Sequence, residues 1–215
     1  MSTDFSWVPS LSGRFGRRSV LARMALSSLL LLSAVGGCRP NTVSSIAWSE
    51  EVQLSTGRLV VGKSTAEWAR RGGGYRVQLG STLQIMDTPG VPMWSEPMLA
   101  LILDVDSRTG EYLIVATTEN LEALQSTGRP TPPYWQFRLR SGRWVEEPVA
   151  TTMWDRSSNM LLATNNPPAH HVISLAEKQT LTAAVRLPAC FMRIMQNVNI
   201  YTCDGPFDQL PRTVD

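Results

Sequence analysis

Three kinds of apolar pattern organise this chain. Near the amino end one unbroken run, Ala25 to Val35, is too short to cross a bilayer as a helix, which takes about 20 residues. With Arg14, Arg17, Arg18 and Arg23 ahead of it, the run predicts the core of an export signal. In the middle, Met98 to Val105 and Glu111 to Thr117 are two further apolar runs, parted by Asp106-Ser107-Arg108-Thr109-Gly110. Their continuous character and the glycine-bearing turn predict a hairpin of central antiparallel strands, buried on both faces. Beyond them the pattern becomes alternation: Trp135, Phe137 and Leu139 interleave with Gln136, Arg138 and Arg140, Ser141-Gly142 turns, and Trp144-Val145 returns. One aromatic face over a packed core and one solvated basic face are expected of this hairpin.

Weaker signals fill the remainder. Val52 and Leu54 lead into Ser55-Thr56-Gly57 and Leu59-Val60-Val61 leave it, a hairpin signature. Ser64 to Arg71 predicts a helical turn ended by Gly72-Gly73-Gly74, and Gly80-Ser81 predicts a second hairpin between Arg76-Leu79 and Thr82-Ile85. Thr88-Pro89-Gly90-Val91-Pro92 marks a turn, and Arg129 to Pro133 a stiff corner preceded by a short helix over Asn120 to Gln125. A helix is expected from Asp155, near its amino end, to Thr164, then a strand over Val172 to Leu175 and a helix over Ala176 to Val185. The sum is a mainly β domain, a small antiparallel sheet or sandwich with two or three short helices, with an α+β arrangement as the alternative. Six tryptophans beyond the leader make large aromatic anchors prominent in its core.

The apolar leader ends in Val35-Gly36-Gly37-Cys38, which resembles the lipobox of bacterial lipoproteins. That resemblance implies cleavage before Cys38, a diacylglycerol on its thiol and, in many members, a fatty acid such as palmitate on the new amino group. Several acyl chains anchor firmly where one alone binds marginally. The chain then divides into a signal peptide over 1–37, a lipidated start and short tether over 38–45, and a single extracytoplasmic domain over 46–215. Arg17-Arg18-Ser19-Val20-Leu21 is similar to a twin-arginine export signal and equally to an ordinary basic region. Removing the leader's four arginines and one aspartate from totals of 20 basic and 18 acidic residues leaves 16 and 17, a formal charge of −1. No net positive field then argues for nucleic acid. With Cys38 used as an anchor, Cys190 and Cys203 remain as a candidate disulfide in an oxidising compartment, worth roughly 3 kcal/mol by loop closure.

Several motifs touch on chemistry. Gly57-Arg58-Leu59-Val60-Val61-Gly62-Lys63-Ser64 satisfies the formal phosphate-loop pattern, but its branched residues favour extended strand and its setting is a hairpin, so no nucleotide site is expected there. Asp104, Asp106 and Glu111 around Thr109-Gly110 loosely resemble a calcium loop, yet lack its full series of oxygens, and a hairpin turn is the expected reading. His170 and His171 are adjacent and without metal spacing, so no metal or other cofactor is predicted. Arg138, Arg140 and Arg143 beside Trp135, Phe137 and Trp144 resemble a base-stacking platform, but alternation separates the charges from Trp135 and Phe137.

Gly110 to Thr118, with Gly128-Arg129-Pro130 and Pro132 to Arg138, is similar to a family of uncharacterised bacterial lipoproteins, as is the Glu50-Glu51-Val52-Gln53-Leu54 and Gly57-Arg58 hairpin. The resemblance implies envelope location and a mainly β domain, and supplies no catalytic residue or ligand. The expected role is structural or interactive, at a membrane reached through the lipid on Cys38 and with an envelope protein as candidate partner. A periplasmic hydrolase built on His170 or His171 with Asp155, or a binder of a small apolar ligand, are the alternatives.

Overall fold

The computed structural model describes residues 43–70, 76–118, 124, 131–162, 167, 171–184 and 189–196. Among them, β1 (Val43–Gln53), β2 (Leu59–Arg70), β3 (Arg76–Ile85) and β4 (Trp94–Glu96) form an antiparallel meander. A two-residue strand, β9 (Val172–Ile173), joins it in parallel beside Ser49 and Glu50. A second meander contains β5 (Leu99–Val105), β6 (Tyr112–Thr117), β7 (Trp135–Arg140) and β8 (Arg143–Glu147). Two short helices, α1 (Leu175–Ala183) and α2 (Ala189–Met192), and a 3-10 turn at Thr151–Met153 complete it. The expectation of a mainly β domain is therefore correct, and of its two forms, a single sheet or a sandwich, two sheets are observed.

Three of the four hairpins read from turn chemistry are present. Leu54 N–H donates to the Arg58 carbonyl at 2.9 Å across the β1–β2 turn, where Gly57 takes φ +82°. Both strands run well beyond the apolar residues that announce them. β1 takes up the last three residues of the expected tether, and β2 absorbs Ser64 to Arg70, where a helical turn was expected. The alternation that β2 needs is carried by small residues, Ser64 and Ala66 inward with Lys63 and Glu67 outward, a pattern too weakly apolar to register as a strand. Gly80-Ser81 is likewise not a hairpin turn. β3 passes straight through it with a bulge in which Leu79 is the extra residue, because Glu67 pairs with Gly80 while Trp68 pairs with Gln78. Glycine is needed there for close approach: a Cβ would lie 3.1 Å from the Glu96 carbonyl oxygen.

Facing sides of the two sheets meet in one apolar cluster. Val52, Val60, Leu83, Ile85 and Trp94 of the first sheet join Leu103, Tyr112, Ile114, Trp135 and Phe137 of the second. Trp94 and Phe137 stack edge to face at 5.6 Å. The reverse face of the second sheet is covered too: Leu101, Leu113, Val115 and Tyr134 pack with Met153, Leu162, Phe191 and Ile194. Double burial, expected from the continuous runs of β5 and β6, is thus observed. A third cluster, Trp48, Ala66, Leu161 and Ile173, lies at the far end of the first sheet.

The expected helix from Asp155 is absent, and its described residues are extended or turned. Asp155 takes φ +64°, and the chain then pairs with 192–194 through Asp155 N–H to the Ile194 carbonyl and Ser158 N–H to the Met192 carbonyl. Met160, Leu161 and Leu162 enter the first, third and second clusters respectively. Asn159 explains why this stretch must stay extended. Its amide accepts from Leu103 N–H at 3.0 Å and donates to the Leu103 carbonyl at 2.8 Å, replacing a neighbouring strand at the β5 edge, and also reaches the Gln53 carbonyl. Ala163 and Thr164, the short helix over Asn120 to Gln125 apart from helical Leu124, Cys38, His170 and Cys203 lie outside the described residues.

Beside this segment Glu50 is completely buried. Its carboxylate accepts from Trp48 Nε1 at 2.9 Å, Leu161 N–H at 2.7 Å and Lys178 Nζ at 2.8 Å. Lys178 also donates to the carbonyls of Asn159 and Glu51. Lys178→Met should therefore leave an unpaired buried carboxylate and lower stability by about 3–5 kcal/mol in denaturant unfolding. Glu50→Gln with Lys178→Met should recover part of that loss, since it removes the stranded charge and keeps a side-chain acceptor for the Trp48 and Leu161 donors.

Candidate functional site

Polar chemistry gathers at three described places. The first is a cleft of about 240 Å³ beside the β3 bulge, lined by Glu67, Leu79, Gly80, Ser95, Glu96 and Pro97 among others. The bulge builds it, since the extra residue on β3 parts the ladder where β4 ends. Burial and the nearby Glu146 carboxylate push the Glu96 pKa up from the ordinary carboxylate value. Two carboxyl groups with the hydroxyls of Thr82 and Ser95 make the cleft an acceptor-rich surface suited to a cationic or hydrogen-bond-donating group. Nothing in the alternation of β3 announces it, because the bulge depends on a close backbone approach that the sequence does not display.

The second place is the reverse face of β7, where the expectation of a solvated basic face fails at buried Arg138, while Arg140 and Arg143 are exposed as expected. Arg138 is 9% exposed; its guanidinium donates to Glu147 at 2.7 Å and to Asp106 at 2.8 Å, with Glu111 at 3.6 Å. Arg140 reaches the other Glu147 oxygen at 2.9 Å. Gln136, fully buried, donates to Glu147 and accepts from Ala150 N–H. The returning strand β8 and the β5–β6 turn bring carboxylates that local alternation on β7 cannot reveal. Burial alone would lower the Arg138 pKa, but Glu147 and Asp106 hold it above the ordinary arginine value. Aromatic and basic side chains do alternate across the strand, and Arg138 and Arg140 are tied to carboxylates rather than presented as a platform.

Asp104, Asp106 and Glu111 are brought close in sequence but serve different bonds. Asp104, 1% exposed, accepts Ser55 N–H and Oγ at 2.8 and 2.9 Å and the Arg156 guanidinium. Burial raises its pKa, yet the Ser55 N–H and Arg156 outweigh that and leave it below the usual range. Asp106 accepts the N–H groups of Arg108 and Thr109 in the turn as well as Arg138, which also lowers its pKa. This is hairpin-turn and ion-pair chemistry, and no group of metal-ligating side chains occurs among the described residues.

Gly57 to Ser64 is likewise a hairpin and not a phosphate loop: Gly57 occupies the turn, and Leu59 to Ser64 are extended in β2. Gly62 is a packing position opposite Glu50, where a Cβ would come within 3.2 Å of Leu83. Lys63 is exposed whereas Ser64 is buried, as neighbours on a strand must be.

The third place is the start of α1. Ser174 caps the helix by accepting the Glu177 N–H, and the exposed His171 ring lies 3.0 Å from both Glu177 oxygens. Asp155 is 75% exposed and pairs with Arg193 at 3.4 Å. The described residues therefore give His171 and Asp155 separate partners. Cys190 is buried in the second apolar cluster.

No family model matches the chain, and no curated protein or solved structure matches it.

Two measurements follow from the titrating groups. Because the folded pKa of Asp104 is depressed, its contribution is complete above the unfolded value near 4 and is lost as pH falls through the folded value. Asp104→Asn should therefore lower stability at pH 7 by about 2 kcal/mol or more, through the Arg156 and Ser55 partners it weakens, and flatten the acid limb of a stability–pH profile. Glu96 has the opposite sign: its charged form is disfavoured in the fold. Glu96→Gln should raise stability at pH 7 by less than about 1 kcal/mol, a gain that disappears once pH falls low enough to protonate the wild-type carboxyl.

Proposed function

We propose that this chain is a bacterial envelope lipoprotein, cleaved before Cys38 and anchored through lipid on that residue, whose extracytoplasmic domain has a structural or interaction role. The supporting observation is the run of arginines, short apolar core and Val35-Gly36-Gly37-Cys38, followed after only four further residues by the first strand of a two-sheet domain. Signal and domain adjoin with little chain between them, as a surface-held module requires. The internal carboxylates and cations support the same reading, because Glu50 with Lys178, Asp104 with Arg156, and Arg138 with Asp106 and Glu147 pair within the fold and act as scaffold. Among the described residues no helix is long and apolar enough to cross a membrane.

Cys190 is taken to bond with Cys203, the one other cysteine once Cys38 carries lipid. That bridge would fasten the segment after α2 to the reverse face of the second sheet.

Intact and amino-terminal peptide masses of the detergent-solubilised protein test the reading. A mature chain beginning at Cys38 and heavier by a diacylglyceryl group is expected, with Cys38→Ala protein left uncleaved and unlipidated. A chain that begins elsewhere, or a Cys38 without lipid, would falsify the assignment.

A further inference from the structure

We propose that two copies of this chain pair through the outer faces of their first sheets, related by a two-fold axis that lies in the interface and crosses β2 at Thr65, perpendicular to the strand. The pairing is independent of what Cys38 carries.

Exposed apolar side chains collect on that face. In β1 the buried Trp48, Glu50 and Val52 point into the core, so the positions between them face outward. Val43 is in the outward series, and register sets Leu59 beside outward Gln53 and Val172 beside outward Ser49. Met86 follows inward Ile85, and its N–H extends the ladder to the Val61 carbonyl at 2.9 Å. Met93 precedes inward Trp94, and Leu79 lines the cleft with outward Glu67 and Thr82. These six are 41–60% exposed, and Val145 and Met192 are the only other exposed large apolar residues described. Apolar residues exposed singly are ordinary, whereas a set gathered on one sheet face marks a contact surface.

Charge and shape match this face to a copy of itself. Its middle row, Ala47, Thr65, Thr82 and Ser95, is a line of cross-strand neighbours with small side chains, which lets a second sheet approach to the roughly 10 Å at which sheets pack. Lys63 and Glu67 stand two positions to either side of Thr65 on β2, both exposed and neither in an ion pair among the described residues. An axis at Thr65 reverses the strand direction, so Lys63 of each copy lies over Glu67 of the other and two opposite-charge pairs form. Glu51, the remaining charged residue at an outward position of β1 or β2, is engaged by the Leu175 N–H. The same operation lays the Leu59 and Met86 end of each copy over the Val43 and Leu79 end of the other, covering apolar side chains at both. An axis along β2 would set Lys63 over its own copy, a like-charge contact that selects against that arrangement. By strand spacing and rise the face spans about 20 Å by 30 Å, and with side-chain relief added it is comparable with the roughly 800 Å² a side of a standard interface.

Native mass spectrometry of the full chain released from detergent provides the test, and a dimer is expected for the wild type. Lys63→Glu and Glu67→Lys each set like charges face to face and should each raise the dimer dissociation constant at least about tenfold. Mixing the two variants brings Glu over Glu67→Lys and Lys63 over nothing but Glu67, so both opposite-charge pairs return. With one variant isotopically labelled, a mixed dimer should therefore appear at near wild-type affinity, and its recovery shows that both variants are folded. Wild-type chain that stays monomeric overturns the proposal. A dimer that neither substitution weakens, or a weakening that mixing does not repair, overturns it as well, since either result puts the contact on another face or in another register.

Discussion

A carboxylate with no access to water dictates how this domain closes. Glu50 sits on β1 between Trp48 and Val52, on the face that supplies the core, and a buried charge is tolerated only where opposite charge and hydrogen-bond donors surround it. Those donors come from three separate pieces of chain: the Trp48 indole, the Leu161 amide and the Lys178 ammonium. The helix is held by the same demand. Lys178 is the one buried residue of α1, with Leu181 packing only partly against the third cluster, so the docking of α1 depends on a polar bond where an amphipathic helix would use an apolar stripe. Glu51 reinforces it by accepting the Leu175 N–H at the helix start, where the orphan amides favour negative charge. Such pairs contribute position more than stability, since an apolar replacement of equal shape would leave the location of α1 and of 159–161 less defined.

The same segment resolves a second difficulty, the open edge of β5. Leu101 is a bulged residue in that strand, and its carbonyl accepts from Ser158 Oγ and from the N–H groups of Asn159 and Met160. Two positions on, the Asn159 amide satisfies both backbone groups of Leu103. An exposed apolar edge of this kind would recruit other chains, and here a few side chains and one irregular stretch close it. Because Met160, Leu161 and Leu162 then enter three different clusters, displacing the segment would disturb all three cores at once.

How much of this was legible depends on how local the cause is. The β1–β2, β5–β6 and β7–β8 hairpins follow from turn residues and flanking apolar patterns within about a dozen positions, and all three are visible in the sequence. Elements set by distant chain are misread. Asp155 to Leu162 has the composition of a short helix, but its hydrogen bonds go to β5 and to 192–194, so long-range pairing overrides propensity. Gly80 looks like a turn because glycine marks turns and bulges alike, and the choice depends on the Glu96 carbonyl lying against it. On β7 the basic positions are correct, while their partners arrive from β8 and from the β5–β6 turn. Glu50 left one readable trace, an acid at an inward position of an alternating strand. That trace could have flagged it, although nothing near it in sequence points to Lys178.

The geometry of the first sheet sets where its exposed surfaces lie relative to one another. β1 has 11 residues, a rise of roughly 33 Å from Val43 to Gln53 at strand spacing. The Leu54 to Arg58 turn lies at the end of that strand opposite Val43. That turn is also among the best braced on the molecule: Ser55 is fixed by Asp104, which Arg156 neutralises, and Arg58 is fixed by Tyr112, whose hydroxyl contacts Thr88 at 2.7 Å. Rigid bracing at that tip lowers the entropy cost of docking there. The acidic cleft at the β3 bulge lies toward the other end of the sheet, with Glu67 three positions from Arg70. The two surfaces therefore lie toward different ends of the first sheet and differ in character: the turn is braced by charged and aromatic side chains, and the cleft is rich in hydrogen-bond acceptors.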